Sequence, residues 1–197
     1  DSGETTSIEK GPAQFTEAFG GTTIDGGLFT FPSSADDWGG FANMDLGLYP
    51  FVFSGGGSIT FTAAVPSGGS ADVRFRFEKN PYPDVEPSYE TSMVTISGSV
   101  EASYTVDIPS QGNNSFRSLI MYVVDRDVAV QVSNLMVTEV SDPDAGDTGS
   151  GGTGDSGSGT PNQPADEVIS IFGDSYTNIN VTDFNPYWEQ QTQVTVG

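Results

Sequence analysis

The sequence predicts an all-β fold, a β-sandwich of the jelly-roll type. Short apolar runs alternate with turn clusters rich in Gly, Ser, Pro and Asn from Gln14 to Val140. Within the runs apolar and polar residues alternate, the period of a strand with one buried face. No segment carries a convincing helical repeat, and aromatic and β-branched residues are plentiful.

Nine segments have this strand pattern, and together they offer enough apolar surface for one independently folding domain. The predicted strands are residues 14–19, 28–32, 51–54, 58–65, 71–78, 91–98, 102–109, 118–124 and 128–140. In 71–78, "ADVRFRFE", Phe75 and Phe77 are expected in the core, with Arg74 and Arg76 on the opposite face. We also expect Phe41, Phe51 and Phe53 to be buried.

The composition divides the chain into four parts. We expect residues 1–13 to be a polar, disordered lead-in, and residues 14–140 to form the sandwich. Residues 141–165 are almost entirely Gly, Ser, Thr, Asp and Pro, the composition of a flexible linker. Residues 166–197 are apolar again but too short for a core of their own. They are interpreted as the truncated start of a second module or, alternatively, as a segment docked on the first.

Charge and composition exclude several functions. The 197 residues hold 27 acidic side chains against six Lys and Arg, a formal charge of −21. Nucleic-acid binding is not expected, and anionic membrane surfaces are disfavoured. Cys and His are both absent, which excludes thiolate sites, the usual zinc sites and His-dependent triads. No apolar run is long enough to span a membrane.

The abundant carboxylates leave two chemical possibilities. A glycosidase would need two opposed carboxyl groups, for which Glu78, Asp84, Glu86 and Glu90 are the candidates. No spacing on one strand singles out a pair. No segment matches a calcium-binding loop, so no cofactor is predicted, although a structural Ca²⁺ without assigned ligands stays open.

Half of the positive charge lies within residues 74–79, as Arg74, Arg76 and Lys79. The arginines could simply pair with neighbouring acids. Alternatively, their planar guanidinium groups could donate to sugar hydroxyls and stack on a sugar face. Both can hold together, since an Arg fixed by a carboxylate is a preorganised donor.

Flat rings and polar groups flank these arginines, the combination that recognises pyranose rings. The segment "DDWGGFANMDLGLYPF" precedes the strand and "NPYPDVEPSY" follows it. We predict Trp38 and Tyr82 to be displayed at the surface. For Tyr122 full burial is the alternative, because "SLIMYVV" is apolar on both faces. The predicted ligand-binding residues are Trp38, Asn43, Tyr49, Arg74, Arg76, Asn80, Tyr82 and Tyr122.

Residues 18–51, 56–91 and 118–140 resemble the β-sandwich carbohydrate-binding modules found beside family-16 laminarinases of marine bacteria, in the style of family 4. In such modules a strand Arg, an Asn just past it and a loop Tyr often contact the glycan. The resemblance places these roles at Arg74 or Arg76, Asn80 and Tyr82. Residues 169–191 are similar to the start of another module of multimodular secreted proteins.

The expected function is therefore non-catalytic binding of a polysaccharide, with a β-1,3-glucan such as laminarin implied by the resemblance. Such a module would hold a covalently linked enzyme or surface protein on its substrate, outside the cell. Two alternatives stay open: a structural or adhesive sandwich without a glycan site, and a fragment of a glycosidase.

Overall fold

The computed structural model describes residues 4–142. They form fourteen strands and one 3₁₀ turn, Leu46–Leu48. The strands are β1 Thr6–Ala13, β2 Phe15–Phe19, β3 Thr23–Asp25, β4 Leu28–Thr30, β5 Gly40–Asn43, β6 Phe51–Val52, β7 Gly57–Ala64, β8 Ser70–Glu78, β9 Ser88–Glu90, β10 Val94–Ser97, β11 Ala102–Ile108, β12 Ser115–Phe116, β13 Ser118–Val123 and β14 Ala129–Ser141.

The strands make two antiparallel six-stranded sheets. The first has the order β11-β7-β14-β4-β3, with β1 also paired to β14. The second has the order β10-β8-β13-β5-β2, with β9 also paired to β8. Strands β6 and β12 form a small separate pair. The predicted all-β sandwich is confirmed.

The core lies between the two sheets and is dominated by phenylalanine. Phe61 of the first sheet and Phe75 of the second meet with ring centroids 5.3 Å apart, nearly perpendicular. Phe41, Phe51 and Phe53 are fully buried, as predicted. Edge-to-face ring pairs add to the stability of a core more than the burial of their apolar area alone would contribute. The core therefore fixes β5, β8 and β13 through their inner faces. Their outer faces remain available for a binding site.

Strand β1 corrects the prediction for the start of the chain. Residues 1–13 were expected to be disordered, but Thr6–Ala13 pairs with β14, from Thr6 opposite Ser141 to Ala13 opposite Leu135. Lys10 also bonds Glu139 at 2.9 Å, and that carboxylate is almost buried. The polar sequence concealed this strand because most of β1 lies exposed at the surface of the sheet.

Residues 143–197 lie outside the described part of the chain. The predictions of a linker, from residue 143 onward, and of a second module at 166–197 therefore stay predictions. Within residues 4–142, no helix is both long and apolar enough to cross a membrane.

Candidate functional site

The outer face of the second sheet carries the residues of interest. Along β8 and β13 they stand in cross-strand pairs: Arg74 with Tyr122, Arg76 with Ile120, and Glu78 with Ser118. The row continues through Ala42 of β5, which is opposite Ile120. The predicted period-two pattern is confirmed here, because Phe75 and Phe77, between the outward residues, are fully buried.

Phe19 joins this face because of a β-bulge in β2. The register to β5 shifts between Phe15 and Glu17, so that Phe19 comes opposite Gly40. A methyl group on Gly40 would lie 2.9 Å from the Phe19 ring and 2.8 Å from the Tyr122 ring. The two rings thus occupy the space left by the missing side chain, and only glycine leaves that space open.

The indole of Trp38 extends this aromatic surface. It is stacked on Phe19 with centroids 6.1 Å apart and planes 11° from parallel. The turn that carries it packs so tightly on Gly20 that a methyl group there would lie 2.5 Å from the Gly39 Cα. A hydrogen bond of 2.8 Å from the Asp36 N–H to the Gly20 carbonyl secures the turn. Trp38 remains 62% exposed, as predicted for a displayed ring.

We call these three rings, Phe19, Trp38 and Tyr122, the aromatic platform. Tyr122 meets Phe19 edge to face at 6.5 Å, and it is half-buried, which raises its pKa. The platform forms one wall of an open groove of about 840 Å³. The groove has the size of a ligand site, and Ala42 and Ile120 lie along its floor.

The opposite wall is the loop that follows β8, with Pro81, Tyr82 and Val85. Tyr82 is 87% exposed, so its ring is available to a ligand. The Asn80 side chain donates to Asp84 at 2.8 Å and Lys79 pairs with the same carboxylate at 3.1 Å. These two partners lower the pKa of Asp84. Asn80 itself does not line the groove, and it serves to hold the loop that presents Tyr82.

Both predicted arginines are in ion pairs, but only one lines the groove. Arg76 lies on its floor, with Nε 2.9 Å from Glu78 and Nη2 3.6 Å from Glu86. Glu78 is only 6% exposed and also accepts from the Ser118 hydroxyl at 3.2 Å. The carboxylates therefore fix the Arg76 guanidinium in place. Ion pairing and ligand binding are compatible for this residue.

Arg74 lies behind the aromatic platform. It pairs with Glu90 at 2.7 Å, and its guanidinium lies over the Tyr122 ring, 5.2 Å from the centroid. It does not line the groove. A cation over a ring face is attracted by the ring quadrupole, so Arg74 orients Tyr122.

Asn43 and Tyr49 reach the groove but are engaged by the protein. The Asn43 amide donates to the Gln14 carbonyl at 2.6 Å and accepts from the Tyr49 hydroxyl at 2.9 Å. That hydroxyl also accepts from the Leu119 N–H at 3.2 Å. Burial raises the pKa of Tyr49 to about 12. The two side chains brace β5 against β13 beneath the groove.

Arg117 is a groove residue that sequence reasoning missed. Its backbone N–H is held by the Glu78 and Lys79 carbonyls at 2.9 and 3.1 Å, while its side chain is exposed and lines the groove. Five of the six cations pair with carboxylates, but Arg117 has none within ion-pairing distance among residues 4–142. Within the described residues, its guanidinium is therefore available to a ligand. The sequence feature that could have identified Arg117 is its position directly after Phe116 and before the predicted strand 118–124.

The structure thus brings together six of the eight predicted residues, with Arg74 and Asn80 behind the lining. The lining residues that were predicted are Trp38, Asn43, Tyr49, Arg76, Tyr82 and Tyr122. The sequence analysis did not single out Phe19, Met44, Leu46, Val85, Arg117 and Ile120. This arrangement can bind a ligand that has both apolar faces and polar groups, because flat rings lie beside guanidinium and hydroxyl groups on a rigid sheet.

Comparison with known proteins gives matches among solved structures alone. No family model matches the chain, and no curated protein does. Carbohydrate-binding modules are among the similar structures. A mutant of a family 29 module is 15% identical over 73% of this chain and 96% of its own, with a TM-score of 0.45. The family 22 xylan-binding domain from Paenibacillus barcinonensis is 11% identical over 68% and 85%, with a TM-score of 0.41. A family 29 module from Piromyces equi is 10% identical over 68% and 90%, with a TM-score of 0.41.

Proposed function

We propose that residues 4–142 form a non-catalytic module that binds a polysaccharide in the groove of the second sheet. The observation that carries this proposal is the aromatic platform standing open beside Arg76 and Arg117. Sugar rings present C–H faces to flat aromatic side chains, and their hydroxyls accept hydrogen bonds from guanidinium groups.

The ligand that we propose is a neutral glycan, with the β-1,3-glucan laminarin as first candidate. The formal charge of −21 disfavours polyanions such as alginate. The choice of linkage rests on the resemblance to modules of laminarinases. In this role the module would act outside the cell, holding an attached enzyme or surface protein near its substrate and raising the local substrate concentration.

Calorimetric titration and affinity gels with laminarin, mixed-linkage glucan, xylan, agarose and alginate test the proposal. We expect one of the neutral glycans to bind, and the Trp38→Ala variant to lose about tenfold or more in affinity, since buried aromatic contacts dominate such interfaces. The matched control is Met93→Ala, which truncates an exposed apolar side chain outside the groove. Failure of all five glycans to bind the intact protein would refute the proposal.

A structural sandwich without a glycan site is the second candidate. It is favoured by the ion pairs of Arg74 with Glu90 and of Arg76 with Glu78, which account for both arginines without any ligand. The pairs do not explain why Trp38 and Tyr82 are left exposed around a common groove.

The glycosidase alternative finds little support among the candidate carboxylates. Glu78 and Glu86 both contact Arg76, Glu90 contacts Arg74, and Asp84 contacts Lys79. Each thus has a structural partner. An assay of reducing sugar released from the same five glycans tests this alternative, and any release above the background of a Glu78→Gln, Glu90→Gln double variant would revive it.

A further inference from the structure

The exposed apolar side chains of this protein are concentrated at the groove. Eight large hydrophobic residues are exposed in the described part of the chain, and four of them line this groove. Two of the four, Trp38 and Tyr82, are rings that can stack on a sugar. The other two, Met44 and Leu46, are 54% and 80% exposed and have no flat face to stack. Such clustering of exposed apolar surface marks a binding site.

The exposure of Leu46 is set by a firmly held turn. Asp45 accepts a hydrogen bond from the Gly47 N–H at 2.9 Å, and the Asp45 N–H donates to the Asn43 side chain at 3.2 Å. Tyr49 closes the segment by bonding back to Asn43. The backbone is thus braced on both sides of Leu46 while its side chain stands in solvent at the groove.

The lining of the groove adds two further apolar residues, Ala42 and Ile120, to Met44 and Leu46. None of these four side chains can donate a hydrogen bond, and the only acceptor among them is the weakly accepting thioether sulfur of Met44. A sugar hydroxyl pressed against them would lose its water and gain no partner stronger than the Met44 sulfur, which is unfavourable. A methyl group in the same position would instead be removed from water at a gain.

We propose that Met44 and Leu46 form a subsite for an apolar substituent of the bound glycan. The substituent presents a methyl group, as an O-acetyl ester, a methyl ether or a 6-deoxy sugar does. The proposal rests on the proposed function and refines it. The aromatic platform binds the sugar ring, and the subsite of Met44 and Leu46 favours neutral glycans that carry a methyl-bearing substituent.

Matched pairs of glycans test the subsite. One pair is laminarin and partially O-acetylated laminarin, and the other is naturally O-acetylated xylan before and after mild alkali, which removes the esters. For at least one pair, we expect the acetylated member to bind about three- to tenfold more tightly, the gain of burying a methyl-sized group. Partially O-methylated laminarin separates the sources, because an equal gain assigns recognition to the methyl surface, whereas a gain with acetyl alone assigns it to the ester.

Variants separate the subsite from the rest of the groove. Leu46→Gln and Met44→Gln should abolish the preference, so that both members of a pair bind with equal affinity. Met93→Gln, an exposed methionine outside the groove, should keep the preference of the unaltered protein. Equal binding of both members by the unaltered protein would overturn the subsite and leave the proposed function standing. No binding of any member would overturn the subsite, and the proposed function would be refuted with it if none of the five glycans bound.

Discussion

The indole of Trp38 lies parallel to the ring of Phe19, 6.1 Å away, and the Phe19 ring in turn occupies the space above Gly40. An exposed tryptophan is thereby coupled to the backbone of an interior strand. The position of the Trp38 ring therefore depends on Gly40, which does not itself line the groove.

Gly40→Ala should therefore weaken glycan binding without unfolding the protein. The added methyl group would lie within 2.9 Å of both the Phe19 and Tyr122 rings, which must move and carry Trp38 with them. We expect a loss of about fivefold or more in affinity, measured by calorimetry, since well-packed aromatic anchors dominate such interfaces. Ser103→Ala on the exposed side of β11 is the control, and unchanged affinity in Gly40→Ala would show that the platform tolerates displacement.

Arg117→Gln should reduce affinity at little cost in stability. The guanidinium has no carboxylate partner among residues 4–142, so its removal breaks no ion pair, and we expect less than about 0.5 kcal/mol change in unfolding free energy. Loss of a hydrogen bond to a sugar hydroxyl corresponds to about 0.5–1.5 kcal/mol of binding.

The Arg117→Lys variant serves as the control for charge, since lysine keeps the charge but not the planar fork. We expect an intermediate affinity for it. If Arg117→Gln binds as well as the unaltered protein, Arg76 alone supplies the cationic contact.

Acid should weaken binding through the loop that carries Tyr82. Hydrogen bonds from Asn80 and Lys79 lower the pKa of Asp84 from its usual value of 3.8. The ionised carboxylate therefore holds the loop fully at pH values above 3.8, and its bonds are lost as the pH falls through the lowered pKa. We expect affinity to be constant from neutral pH to about 4 and to decline below.

Asp84→Asn should reproduce the acid effect at neutral pH, because an amide cannot hold Lys79 in an ion pair. Asp107→Asn, on the exposed side of β11, is the charge-matched control. If the two variants give the same affinity and the same pH profile, Asp84 does not control the loop.

Tyr49→Phe should destabilise the fold by about 1–3 kcal/mol, as expected when hydrogen-bond partners lose their shared group. The Leu119 N–H and the Asn43 amide both depend on this hydroxyl. Denaturant unfolding measures the loss, and Tyr82→Phe, which alters a fully displayed ring, should leave the midpoint unchanged.

Alkaline pH provides an independent test of the same hydroxyl. The pKa of Tyr49 is about 12 in the folded chain against 10.0 for an ordinary tyrosine, so the unfolded state loses this proton first. The contribution of Tyr49 is thus fully present below pH 10 and is lost between pH 10 and 12, on the order of 2 kcal/mol. The Tyr49→Phe variant should lose less stability over this interval. A parallel decline in both proteins would contradict the assignment.

The alternation of apolar and polar residues was enough to predict the sandwich and the opposite faces of β8. It could not predict Phe19, because a bulge reverses the faces of β2 and no residue pattern records where the register shifts. Nor did it reveal β5, a strand of four residues that begins with glycine, although this strand joins the platform to the groove floor. Pairing with neighbours, rather than local preference, makes that segment a strand.

The predicted ligand-binding residues stay predictions, and several of them already have partners within the protein. Asn43, Arg74 and Asn80 were predicted as ligand contacts from their chemistry, and each is engaged by a protein partner. Arg117 has the opposite character, since no carboxylate among residues 4–142 pairs with its guanidinium. Sequence chemistry shows which groups can bind a sugar, but only the fold determines which of them are already occupied.

The pairing of β1 with β14 has a mechanical consequence. Thr6 and Ser141 lie side by side, joined by the Ser141 hydroxyl, with the ladder running inward from them. Tension applied between these two positions would therefore load the hydrogen bonds one after another, as in a zipper, instead of all at once in shear. We expect β1 to peel away at low force while the groove, on the other sheet, keeps its ligand. The sandwich would then open first at β1, a strand that contributes no residue to the groove.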